Sequence, residues 1–454
     1  MKTGTIDFTE GRMLKNFIIF VIPLVITGLL QTLFNAADLI VVGRFAGENA
    51  LAAVGSTTSL INLIVGLAIG LSVGANVVAS IFIGGRNRDM VKKTVDTSLL
   101  TALVCGFLCT AFGMIFARPL LSVMDTPGDV ILEAVPYLRM YFAGVPAAMI
   151  YNFSAAILRA NGETKRPLIY LSCAGVLNVV LNIIFVTRLH MSAAGVGLAT
   201  ALSQYLAAGM VVRDMIKSDE LYKFDPLNIT PSYTVLKRIL SIGIPSGIQS
   251  MVFSLSNILI QSSINSFGAV VVAGNAAAAN IENFGYIAMN AFSVAATTVV
   301  GQNVGAKKYK RIDKVIIEAG ILVSTVGIVL GIMMFVFARP LASLYCPDSL
   351  DAIEVARIRI MFIGLPYFLC GIMEVFTGSL KSCGYAMQVM VISLITCCGV
   401  RVLWIYTVFK VIGTIQSIYI SYVLTWSLCI ISCVILYILF AKRKLKKLEA
   451  EKLL

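Results

Sequence analysis

Between Pro23 and Gly43 the chain reads PLVITGLLQTLFNAADLIVVG, a stretch apolar enough for lipid yet interrupted by a carboxylate. At helical spacing Thr27, Gln31, Asn35 and Asp38 fall at i, i+4, i+8 and i+11, so the four share one face. The other face is Leu, Ile, Val and Phe, and no base stands closer in sequence than Arg44. A charge at the bilayer centre costs about 2.5–3.5 kcal/mol on the milder insertion scales. The plain reading is a helix-end carboxylate that reaches interfacial water. Three polar neighbours on the same face favour a protein-lined cavity instead.

Further polar groups interrupt other apolar runs: Asn152 in the fourth, Asn178 and Asn182 (i, i+4, one face) in the fifth, and Thr200 in the sixth. Each amide or hydroxyl needs partners where water is absent. With Asp38 and Asn35 they make an oxygen-rich set. It suits a hard cation such as Na⁺, or a proton held in a hydrogen-bond network. Interhelical glue, worth only about 0.6 kcal/mol per hydrogen bond, is the bland alternative for the asparagines. Farther along, Glu282 and Glu374 are two more acids inside apolar runs, opposed by one clearly intramembrane base, Arg401. These acids are expected to attract a cationic substrate, with Gln31, Tyr141, Phe153, Phe284 and Met289 lining its cavity. Aromatic rings and methionines adapt to varied cations.

The elements that must position these residues are transmembrane helices. Of 454 residues, 58% are hydrophobic and 13% charged, with mean hydropathy +0.91; a soluble domain carries about 25% charged residues. Apolar runs of about 20 residues recur along the chain, each able to cross ~30 Å of hydrocarbon. The first lacks a signal-peptide cleavage pattern, so it is expected to be a span. The net charge of +13 gathers in alternate loops, and the positive-inside rule then gives twelve spans with both termini cytoplasmic. The charge is a topology signal rather than a nucleic-acid patch. Ten cysteines and one histidine lack zinc-type spacing, and the cysteines read as small buried hydrophobes. No cofactor motif is present.

The sequence repeats itself at an offset of about 220 residues. FARPL at Phe116–Leu120 returns at Phe337–Leu341, GVP at Gly144–Pro146 returns as GLP at Gly364–Pro366, and Asn35 returns as Asn257. Six spans per half make the copies parallel, related by a pseudo-two-fold axis along the membrane normal. The expected organisation is an all-α integral membrane protein of two six-helix lobes. It comprises an amino-terminal segment (1–13), a first lobe (14–212), a polar linker (213–238), a second lobe (239–440) and a basic tail (441–454). Asp38 has Ile260 as its partner in the repeat, so the halves have differentiated. Gly66, Gly70 and Gly74, four residues apart in the second span, read as close helix packing.

Six segments in order resemble the multidrug and toxic compound extrusion (MATE) transporters: NAADLIVVG (Asn35–Gly43), ILRANGETKRP (Ile157–Pro167), LNVVLNIIFV (Leu177–Val186), GVGLAT (Gly195–Thr200), VVGQNVGAKK (Val299–Lys308) and VRVLW (Val400–Trp404). The resemblance spans nearly the whole chain. It implies twelve helices in two lobes and export of organic cations against inward H⁺ or Na⁺. The family's first-span acid falls on Asp38, its fifth-span Asn on Asn178 and its sixth-span Thr on Thr200. The family's usual second fifth-span position is Asp, where this chain has Asn182. Some branches carry a seventh-span Glu, where this chain has Phe253.

The leading expectation is a non-enzymatic antiporter of the inner (plasma) membrane. It would export amphipathic organic cations in exchange for H⁺ rather than Na⁺ and act as a monomer. A lipid-linked oligosaccharide flippase of the same two-lobe plan is the alternative, and it requires a cationic cavity. A membrane-embedded enzyme would need a nucleophile–base or metal constellation, which the sequence lacks.

Overall fold

The computed structural model describes residues 6–124 and 126–453, and among these there are helices and no strands. Of the expected terminal segments, residues 1–5 and 454 lie outside the described residues. Apart from a short helix at Ala338–Ser343, the helices are α1 (Met13–Phe45), α2 (Glu48–Gly84), α3 (Arg88–Val123), α4 (Gly128–Ala160), α5 (Lys165–Arg188), α6 (Ser192–Lys217), α7 (Tyr233–Asn265), α8 (Ala269–Gly305), α9 (Tyr309–Val336), α10 (Leu350–Gly364 with Tyr367–Ser382), α11 (Ala386–Ile412), α12 (Ile415–Leu436) and α13 (Lys442–Leu453). Among the described residues eleven helices are long and apolar enough to cross a membrane, and α10, bent by 43° at its break, makes a twelfth. The break falls at Leu365–Pro366, directly after a π turn over Ile360–Gly364; proline and π turns are the usual causes of such kinks.

The repeat is written into the backbone as well as the letters. Gly47 and Gly268, entering α2 and α8, have φ of +88° and +92°, a region glycine enters without a Cβ penalty. Arg86 and Lys307, leaving the same two helices, have φ of +52° and +55°. α2 and α8 are each 37 residues long.

By internal contacts the chain divides into two units, Met1–Asp7 with Ile22–Gly247, and Phe8–Val21 with Ile248–Leu454. This differs from the expected lobes in two places. The start of α1 belongs with the second unit, where Phe17 stacks on Phe292 at 5.8 Å between ring centroids. The residues before it are held there too. The Phe8 N–H donates to Gln302 Oε1, and Asn303 Nδ2 and Lys308 Nζ donate to the carbonyls of Phe8 and Thr9. Within this amino-terminal segment Phe8 is fully buried.

The first half of α7 belongs with the first unit because small residues let its backbone meet α2. A Cβ on Gly70 would lie 2.2 Å from Gly247 Cα, and one on Gly74 would lie 2.2 Å from the Ile239 carbonyl oxygen. Both clashes are with backbone, which has no rotamer to yield. Gly70→Val is therefore expected to separate α2 from α7 and cost about 1–3 kcal/mol or more. Gly55→Ala, where nothing lies within 4 Å, is expected to be neutral or to stabilise by up to ~1 kcal/mol. Thermal unfolding of the two purified variants checks the contrast, and equal melting points would show that the crossing is looser than this.

Candidate ion and substrate site

Within the first unit, α1, α2, α4, α5 and α6 surround a cavity of about 270 Å³. Gln31, Asn35 and Asp38 enter it from α1, Tyr141 and Asn152 from α4, Asn178 from α5, and Thr200 and Gln204 from α6. Phe34, Ile64 and Met149 supply apolar wall. Periodicity places the α1 trio on one face. Thr27, expected on that face, is absent from the lining, and its hydroxyl donates to the Pro23 carbonyl at 2.7 Å.

Asp38 is half-buried and is the one charged side chain among the lining residues. Asn182 Nδ2 donates to Asp38 Oδ1, and also to Asn178 Oδ1 at 3.2 Å. Asn178 Nδ2 in turn donates to Thr200 Oγ1 at 3.2 Å. A chain of amides therefore runs from the carboxylate on α1 across α5 to the hydroxyl on α6. Asn182 is fully buried, and its Oδ1 has no hydrogen-bond partner. An orphaned buried acceptor beside a carboxylate is costly unless a proton donor or cation visits it. Asn152 faces the cavity with one amide hydrogen spent on its own helix, at the Ala148 carbonyl.

Gln204, Phe34 and Gly175 are among the cavity residues that escaped the sequence reading. Gln204 lies one helical turn after Thr200, and the i, i+4 spacing would have found it. Phe34 lies against Gly175, where a Cβ would come within 1.8 Å of the ring. Nothing in the sequence distinguishes that glycine from others in apolar runs.

The remaining expected site residues are not part of this cavity. Phe153 and Met289 have no exposed surface, so neither lines one; Phe153 packs in the core of the first unit, and Met289 sits against Gly371 of α10. Phe284 is 44% exposed and is not among the residues lining this cavity. Glu374 is half-buried on α10 of the second unit, where its carbonyl accepts from Ser293 Oγ at 3.1 Å.

Glu282 needs the larger correction. It is not a bare acid, because Arg359 grips it with two hydrogen bonds, Nε to Oε1 at 3.1 Å and Nη2 to Oε2 at 2.8 Å. The side chains are 8% and 7% exposed. Asn275 Oδ1 accepts from Arg359 Nη1 and from the Tyr419 hydroxyl. In sequence Arg359 stands at the polar edge of an apolar run. In the structure α10 starts at Leu350, so Arg359 is more than two turns inside the helix. Arg401 is also buried, with its guanidinium 4.1 Å from the Tyr422 ring centroid and donating to Thr425 Oγ1. Among the described residues no three His, Cys, Asp or Glu side chains converge as a metal centre.

The comparisons agree with the repeat and with the fold. The MatE family model matches residues 23–184 and again 245–407, the two copies of the repeat, each opening on a helix proline. A probable multidrug resistance protein YpnP of Bacillus subtilis is 29% identical over 86% of this chain and 87% of its own length. A probable multidrug resistance protein NorM of Thermotoga maritima is 27% identical over 84% and 82%. Among solved structures, an outward-facing multidrug resistance MATE transporter of the MOP superfamily superposes with a TM-score of 0.89 at 22% identity, covering 99% of both chains. A MOP superfamily transporter from Pyrococcus furiosus, described by a binding pocket of reversed polarity, gives 0.87 at 22% over 97% and 98%. With both halves of the repeat matched and the twelve-helix, two-lobe fold in place, the chain belongs to the MatE family of multi-pass membrane transporters.

Proposed function

We propose that the chain is a secondary antiporter that exports amphipathic organic cations in exchange for inward H⁺. The observation that carries this reading is a cavity in which Asp38 is the one charge and amides and apolar side chains supply the rest. A single carboxylate attracts a cation, and Phe34, Tyr141 and Met149 offer adaptable apolar contact. The kinship with proteins called multidrug resistance proteins supports drug export. The flippase alternative needs a cationic cavity, and no base is among these lining residues. Substrate contact is therefore assigned here to the first unit, and Glu282 is assigned to holding the second unit together. The chain is placed in the plasma membrane as a monomer, with both termini cytoplasmic by the positive-inside rule.

Exchange follows from competition for Asp38. In the ionised site Asn182 donates to the carboxylate, and a drug cation gains from the remaining charge. A proton arriving at Asp38 removes that charge and frees the drug. The protonated carboxyl still accepts from Asn182 Nδ2 through its carbonyl oxygen, so the amide chain to Asn178 and Thr200 persists in both states. One proton in for one monovalent cation out is electroneutral, so each pH unit drives about tenfold accumulation, ~1.4 kcal/mol. A second ion would add roughly 2.3 kcal/mol per 100 mV.

Sodium could use the same oxygens, but one formal charge among neutral donors competes weakly with hydration. A proton discharges the carboxylate with no coordination shell at all. In proteoliposomes, efflux is expected to follow an imposed pH gradient and to stay at background under a Na⁺ gradient at equal pH. Asn182→Asp, which restores a second carboxylate, is expected to raise Na⁺ dependence. Efflux by the unaltered chain under Na⁺ alone would assign the site to the metal ion.

A further inference from the structure

The last span does not end at the membrane. A π turn over Tyr437–Ala441 joins α12 to α13, whose sequence is KRKLKKLEAEKL. One side of α13 is fastened to the second unit. Leu445 is buried, Lys442 pairs with Asp313 of α9 at 3.0 Å, and Glu449 pairs with Lys310 at 3.5 Å. The Tyr437 hydroxyl donates to the same Asp313. These carboxylates are thus already engaged.

At 100° per residue the opposite side carries Arg443, Lys444, Lys446 and Lys447 within an arc of about 160°. All four are exposed. Lys444 leans over the Tyr385 ring, 5.6 Å from its centroid. Glu451, the other acid of the helix, stands a full turn beyond Lys447, so the cationic stripe is unbroken where it begins. Immediately before it, Ile435, Ile438, Leu439 and Phe440 are 42–57% exposed, an apolar collar suited to acyl chains. At 1.5 Å per residue the stripe begins about 5 Å and ends about 10 Å past Phe440. The headgroup zone beside the hydrocarbon is itself about 5–7 Å deep on each side.

We infer that this face of α13 is a docking surface for the headgroups of anionic phospholipids. Its docked side fixes the helix, so the four cations are held together at phosphate depth rather than scattered along a mobile tail. Clusters of four or more Lys and Arg just beyond a span bind anionic lipid in this way. Nucleic acid is a poorer match, since the stripe abuts the apolar collar and would be reached only through the headgroup layer.

The test uses the full chain, purified and delipidated, titrated with dioleoylphosphatidylglycerol or dioleoylphosphatidylcholine and read by native mass spectrometry. The unaltered chain is expected to prefer the anionic lipid. The combined variant R443Q/K444Q/K446Q/K447Q is expected to lose about tenfold or more of that preference. The charge-preserving variant K444R/K446R/K447R should keep it. A control with the same change in charge on the first unit, R88Q/R213Q/K217Q/K223Q, should keep it too. An undiminished preference in the first variant would overturn the inference, and so would an equal loss in the control. Displacement of the lipid by millimolar inorganic phosphate would likewise overturn it, by revealing a free-anion site.

Discussion

Asp38→Asn is expected to abolish export of cationic drugs while leaving expression and membrane insertion intact. The substitution keeps the shape of the side chain and a carbonyl oxygen that can still accept from Asn182 Nδ2, so the amide chain to Asn178 and Thr200 survives. It removes the one charge in the cavity lining. A drug cation about 4 Å from the carboxylate is held by roughly 4 kcal/mol at an effective dielectric of 20. Losing that attraction weakens binding by nearly three orders of magnitude. The proton site vanishes with it, so nothing remains to exchange. The fold should not suffer, since a neutral amide relieves a membrane cost of about 2.5–3.5 kcal/mol. Ethidium efflux from cells, with immunoblots for expression, measures the outcome; export at the unaltered rate would remove Asp38 from the mechanism.

The parts of this site that the sequence made legible share a cause. A polar residue in lipid is expensive, so its presence is informative, and helical periodicity tells which polar residues can meet. That logic brought Gln31, Asn35 and Asp38 together and joined Asn178 to Asn182. It failed where a span is polar at its start. DAIEVARIR, the opening of α10, looks like a loop approaching the membrane, and the burial of Arg359 follows only from Glu282, 77 residues away in sequence. It failed again for Phe153 and Met289. Both lie on helices whose apolar stretch is mostly buried, where an apolar side chain carries no sign of which way it faces. The repeat was legible from short strings such as FARPL. The assignment of the start of α1 to the second unit was not, because it rests on Phe8, Phe17 and the Gln302–Asn303 pair, which no local pattern links.

The second large effect is expected in the second unit, where Arg359→Gln should cripple the protein without touching the cavity. Glu282 is gripped by two hydrogen bonds from Arg359, and the pair is all but sealed from water. Removing the guanidinium leaves a buried carboxylate that the Asn275 amide alone cannot neutralise. Breaking such a pair from one side costs about 3–5 kcal/mol. Replacing both partners by neutral groups is often nearly free by comparison. Arg359→Gln should therefore lower the melting temperature and yield sharply, whereas Glu282→Gln combined with Arg359→Gln should recover most of both. If the pair is structural, the double variant also keeps the drug spectrum of the unaltered chain. Were Glu282 instead the group that selects cations, the double variant would fold but lose its drugs one class at a time. Melting curves and efflux of several chemically distinct cations, measured on the same three proteins, separate a strut from a binding group.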